Sequence, residues 1–252
     1  MALTQTSNPV WKSDAFTSPS EWAAPAGRTM TIGGAVNKSL LLVGFLLVAA
    51  VWSWFVAVNA GTAAAFPWLI GGIIVGLIGA FTMYFKAPWA PVLAPIYALS
   101  EGLCLGAVSA MYASRYHGIV LQAAALTVGT LFAMLTAYQL GLIRATEKFK
   151  AGVIAATGAI AIFYLVTLVL SLCGVDGAGT LLYGGGPLSI GISLVIVVVA
   201  ALNLVLDFDF IERGAAQGLP KYMEWYAGFG LLVTLVWLYL EILRLLAKLQ
   251  KR

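Results

Sequence analysis

The sequence predicts an all-α, polytopic membrane protein of seven transmembrane helices, on three observations. Of its 252 residues, 62% are hydrophobic and only 10% charged, with a mean hydropathy of +0.97, whereas soluble domains are about half apolar and a quarter charged. No charge interrupts the chain between Lys38 and Lys86, His117 and Arg144, Lys150 and Asp176, or Asp176 and Asp207. Each of these gaps holds at least one helix of about 20 residues, the length that crosses a hydrocarbon core of roughly 30 Å. The runs are continuous rather than alternating, which argues against a β-barrel. The 27 glycines fit helices that approach closely in lipid.

Residues 1–35 are polar, contain Ser, Thr and Pro, and lack the apolar core of a signal peptide. They are expected to form a retained, mostly disordered cytoplasmic tail, with Trp11 and Trp22 able to rest at the membrane interface. Residues 36–252 form the membrane domain. The first span runs about Leu40–Val58 and the second Phe66–Phe85, parted by Asn59-Ala60-Gly61-Thr62. The third covers Val92–Tyr112, the fourth Ile119–Ile143, the fifth Gly152–Cys173, the sixth Leu188–Phe210 and the seventh Tyr226–Leu249. With seven crossings, nine of the 14 Lys and Arg residues share the side of the amino terminus and five the other, so the positive-inside rule places that terminus in the cytoplasm. A seventh segment that dipped in and returned would divide them thirteen to one, and this re-entrant version stays open as an alternative.

The charge of +4 is scattered over loops and does not point to nucleic acid. Cys104 and Cys173 lie in apolar runs and read as packing residues. The lone His117 sits in a loop beside Arg115 and is assigned no role. No zinc-binding cluster, no Ser/His pairing and no phosphate-binding glycine loop occurs, so neither an enzyme nor a cofactor is expected.

What remains is a small set of acids in or beside apolar segments: Glu101 in the third span, Asp207, Asp209 and Glu212 at the end of the sixth, and Glu241 in the seventh. Asp209 and Glu212 have a plain reading as solvated groups at the cytoplasmic mouth, paired with Arg213. Glu241 can pair with Arg244 one turn on, both snorkelling outward. Glu101, among Ser100, Gly102 and Cys104, can be a hydrogen-bonded packing carboxyl. Against these stands a functional reading. Oxygen ligands suit hard cations, and buried carboxyl pairs titrate as a unit.

The sixth span ends in LVLDFDFIERG and the seventh carries LYLEILRLL. These motifs, together with NKSLLLVG, APIYALSEGLCLGAVSA and the order of seven spans, resemble the Bax inhibitor-1 family in its bacterial Bax-inhibitor-like branch. The likeness covers about residues 36–249. Asp207 and Ile211 match the family's aspartate and isoleucine four positions apart, and Asp209 stands where a polar amide is common. Leu238, Tyr239 and Leu240 precede the second family carboxylate, here Glu241 in place of the more familiar Asp. The resemblance implies a seventh helix central in the bundle and a pH-sensitive Ca²⁺ leak in a cell membrane, the bacterial inner membrane for this branch. In it Asp207 and Glu241 share a proton, hold the bundle shut, and on losing that proton repel and let Ca²⁺ pass, with transient ligation of the ion by both. Asp209 and Glu101 are accessory acids, and Arg244 and Arg213 salt-bridge candidates.

Geometry sets a condition on that pair. If the seventh helix entered the membrane at Tyr226, Glu241 would lie about 22 Å deep, while Asp207 would lie about 5 Å from an exit at Phe210. Pairing therefore requires the sixth helix to continue to about Arg213 and the seventh to begin near Gly230, with roughly 7 Å still closed by tilt. Two further function classes compete. One is a non-conducting regulator of a membrane protease or stress pathway, acting through protein contacts made by the tail. The other is an intramembrane aspartyl protease, which the lack of a Gly-x-Gly-Asp run disfavours.

Overall fold

Backbone groups in lipid must satisfy one another, so uncharged runs of this length become helices. The computed structural model describes residues 29–175, 179–180 and 184–251, and among these it contains seven helices long and apolar enough to cross a membrane. They are α1 (Ile32–Ala60), α2 (Thr62–Phe85), α3 (Ala90–Ala113), α4 (Ile119–Gln139), α5 (Glu147–Leu172), α6 (Pro187–Ala216) and α7 (Met223–Gln250), with a short 3-10 turn at Ala87–Trp89. The protein is an all-α, multi-pass membrane protein. Helix α7 is unbroken over 28 residues, about 42 Å, so it crosses rather than re-enters.

Helix ends follow capping chemistry rather than the limits of hydrophobicity. Thr31 is extended and its Oγ1 accepts from Gly34 N–H at 3.0 Å, starting α1 well before the expected Leu40. Residues 29–35 thus belong to the bundle instead of the tail: Met30 and Ala35 are buried, and Met30 N–H donates to Leu219 O. The rest of the expected tail lies outside the described residues. Thr146 caps α5 in the same manner, before the expected Gly152. Gly141, at φ +68°, ends the fourth helical segment short of Ile143. Helix α6 continues past Phe210 through its charged stretch to Ala216, and Gly218 at φ +65° turns the chain toward α7.

Two cores flank the central α7. On one side Leu232 and Val236 meet Leu42, Leu46, Tyr97 and Leu105 of α1 and α3. On the other Leu238, Ile242 and Leu243 meet Ile119 and Ala123 of α4 and Leu204 of α6. Helix α7 packs against α1, α3, α4 and α6, while α5 packs on α6 at the periphery. Helices α1 and α3 touch at backbone level. A Cβ on Gly102 would strike Leu46 O and one on Gly106 would strike Ala50 O, so only glycine allows the approach.

Candidate functional site

The acids of α6 and α7 fall into separate environments at different depths. Asp207 lies nine residues before the end of α6, in the seam with α7. Its Oδ1 stands 3.8 Å from where a Cβ on Gly230 would sit, and the Thr234 hydroxyl lies beside the carboxyl. That hydroxyl also donates to Gly230 O at 3.3 Å. Asp207 Oδ2 is buried and, among the described residues, has no hydrogen-bond partner.

Glu241 is only 1% exposed, yet fully engaged. Arg244 Nη1 donates to Oε1 at 2.9 Å and to Oε2 at 3.0 Å, and the Tyr164 hydroxyl of α5 donates to Oε1. Arg244 also donates to the Tyr164 oxygen at 2.7 Å, and its guanidinium stands 5.4 Å from that ring's centre. One turn further, Lys248 is 2% exposed and donates to Ser189 O at 3.0 Å and Ser193 Oγ at 2.6 Å of α6. The expected outward snorkelling of the Glu241–Arg244 pair is thus replaced by a hydrogen-bonded triad in which Glu241 is buried and Arg244 and Tyr164 are half-buried.

Asp207 and Glu241 do not meet. Asp207 is level with Gly230, and Glu241 is eleven residues farther along α7, a rise of about 16 Å. In the antiparallel pair Glu241 comes level with about residue 196 of α6, about two and a half turns inside that helix and far from its acids. The condition for pairing fails because α7 begins at Met223 rather than near Gly230, even though α6 does run past Arg213. One Ca²⁺ cannot be ligated by both carboxylates, and among the described residues no three His, Cys, Asp or Glu side chains converge as a metal site.

The remaining acids are also placed apart. Asp209 is nearly buried, not solvated: Lys150 Nζ of α5 approaches its Oδ2 at 2.6 Å and Arg213 Nε at 2.9 Å, and Arg213 reaches Glu147 at 3.4 Å. Glu212 is exposed and accepts from the Tyr138 hydroxyl of α4. Glu101 turns toward α2, where its Oε2 would lie 3.4 Å from a Cβ on Gly76, away from the α6–α7 seam. Tyr239 of the Leu-Tyr-Leu motif hydrogen-bonds Ser109 of α3 at 2.7 Å. Cys104 is buried and donates to Leu69 O at 3.4 Å, whereas Cys173 is exposed at the end of α5.

Sequence reasoning missed Tyr164, Thr234, Lys150 and Lys248, and also Glu224. The last is 1% exposed and gathers Lys221 Nζ (2.7 Å), Thr31 N (3.0 Å) and Thr31 Oγ1 (2.9 Å) on its Oε1. Gly34 faces this carboxylate with no room for a Cβ, and Thr29 bridges to Pro220. The Lys221–Glu224 spacing was a visible signal; the Thr31 partner, 193 residues away, was not.

Neither the curated proteins nor the solved structures compared with the chain gave a match. The family described as Bax inhibitor 1 like matches residues 8–251, extending the likeness from the spans into residues 8–35. Seven spans around a central seventh helix and this match over nearly the whole sequence lead to one conclusion: the chain belongs to the Bax inhibitor 1 like family.

Proposed function

We propose that the protein is a proton-regulated Ca²⁺ leak of a cell membrane, with its amino terminus cytoplasmic, no cofactor and no enzymatic step. Asp207 is the proton-sensitive group, and Glu241 is a structural clamp at another depth. The observation that carries this reading is Asp207 Oδ2, buried in the α6–α7 seam with no hydrogen-bond partner among the described residues. A neutral carboxyl can rest against Gly230 and Thr234. Once it loses its proton, an isolated charge in that seam is expensive and draws in water or a cation, parting α6 from α7. Ca²⁺, a hard cation, suits the carboxylate oxygens that such a parting would uncover. Glu241 contributes by holding α5 and α7 together through Tyr164 and Arg244.

The test is Ca²⁺ entry into dye-loaded liposomes at about pH 6 to 8, where carboxyls shielded from water can titrate. Wild type should leak more as pH rises, and Asp207→Asn should leak little at any pH. Flux that is absent, or indifferent to Asp207→Asn and to pH, sinks the reading. A second reading, a non-conducting regulator, is favoured by the docking of Thr29 to Thr31 on the α6–α7 connection, which gives the preceding residues a lever on this seam. Partner capture that is lost on deleting residues 1–28, without any flux, would support it instead.

A further inference from the structure

The ring of helices around α7 is open between α1 and α4, and a crevice of about 930 Å³ fills the gap. Its walls are Val36, Leu40 and Val43 of α1 and Leu131 and Leu135 of α4. Leu231 and Leu235 of the central helix form its floor. From Ile32 to Val43 the wall of α1 rises about 17 Å, close to one leaflet of a hydrocarbon core of roughly 30 Å.

The end of the crevice at the α1 amino terminus is polar, and its charges are unequally engaged. Asp209 is neutralised by Lys150 and Arg213. Arg144 is exposed, lies over Gly141, and makes no ion pair among the described residues. Glu212 accepts from the Tyr138 hydroxyl but likewise has no ion-pair partner among the described residues. A leaflet-deep apolar slot that ends in a cation and a carboxylate, neither in an ion pair among the described residues, has the charge pattern of a phospholipid whose phosphate is followed by a primary amine.

We infer that this crevice is a binding site for an aminophospholipid of the ethanolamine type, drawn from the leaflet on the side of the α1 amino terminus. One acyl chain lies between α1 and α4 on Leu231 and Leu235. The phosphate sits on Arg144, whose guanidinium can hold two phosphate oxygens at once, and the ammonium sits on Glu212. The lipid closes the ring around α7 beside the helix that carries Asp207, and its binding stands apart from any ion flux.

Native mass spectrometry of the full chain in detergent, titrated separately with phosphatidylethanolamine and phosphatidylglycerol, tests this. The ethanolamine lipid should bind more tightly. Arg144→Gln should weaken both lipids by about tenfold, as expected for loss of one charge-assisted contact. Glu212→Gln should remove the preference while sparing phosphatidylglycerol, and Leu235→Trp should fill the floor and exclude both. Arg144 and Glu212 are exposed, so those two variants retain the fold and keep the test decisive if Leu235→Trp does not. Equal binding of both lipids that no variant alters would mean only a generic lipid shell and overturn the inference, as would preference for phosphatidylglycerol. Binding that appears only after removal of residues 1–28 would assign the crevice to that segment instead.

Discussion

Two levels of α7 present opposite solutions to a carboxylate in a membrane. At Glu241 the acid is buried with a cation one turn away and a tyrosine from α5, so each oxygen is hydrogen-bonded. At Gly230 the acid comes from α6, faces a glycine and a threonine, and leaves Oδ2 with no partner among the described residues. A satisfied buried ion pair resists change, because removing one partner strands the other. A carboxyl with one oxygen unpartnered among the described residues has an alternative state within reach, and for that reason Asp207 is the group we propose as the switch. The contrast teaches that two acids on neighbouring helices form a pair only if their levels agree, whatever their motifs suggest.

The largest expected effect comes from breaking the satisfied level. Arg244→Leu strands Glu241 and should cost about 3–5 kcal/mol, seen as a fall of the midpoint in thermal unfolding in detergent; a midpoint unchanged would show the triad to be ornamental. The double variant Arg244→Leu/Glu241→Leu should recover most of that loss, since an apolar pair of similar volume removes the stranded charge. Tyr164→Phe removes two hydrogen bonds, the one it donates to Glu241 and the one it accepts from Arg244, and should cost about 1–3 kcal/mol, with the proposed Ca²⁺ flux still responding to pH. Asp207→Asn should change the unfolding midpoint least in this seam while abolishing the pH response of flux. If Asp207→Asn and Glu241→Gln altered the pH response equally, the two levels would be coupled and the contrast lost. Smallest of all, Lys150→Met should cost about 1 kcal/mol, because the nearly buried Asp209 keeps Arg213 as its partner, and added salt should change the effect little.

Much of the helical frame was legible. Long uncharged runs can do little else in lipid than form helices, and the order of spans followed from them. Their ends were less legible. Charged residues such as Asp207 to Arg213 bound the hydrophobic segment without ending α6, which stops only at Ala216 before Gly218. Thr31 and Thr146 carried visible capping chemistry, but each lay outside the apolar window that marked its span. The Glu241–Arg244 pair was readable from its spacing of three, while Tyr164 was not, since 77 residues separate it from Glu241.

By itself the sequence determined that the chain crosses a membrane as seven helices, that acids are confined to a few places along them, and that Arg244 stands one turn from Glu241. These follow from local chemistry: hydrophobic length, charge and helical period. Only the tertiary structure decided which acid keeps a partner. That outcome depends on where α6 and α7 begin and how they stand against each other, and a shift of one turn moves a carboxylate about 5 Å along its neighbour. Here the register sets Asp207 against Gly230 and Glu241 against Tyr164, so two motifs that look like a pair lie in two separate environments.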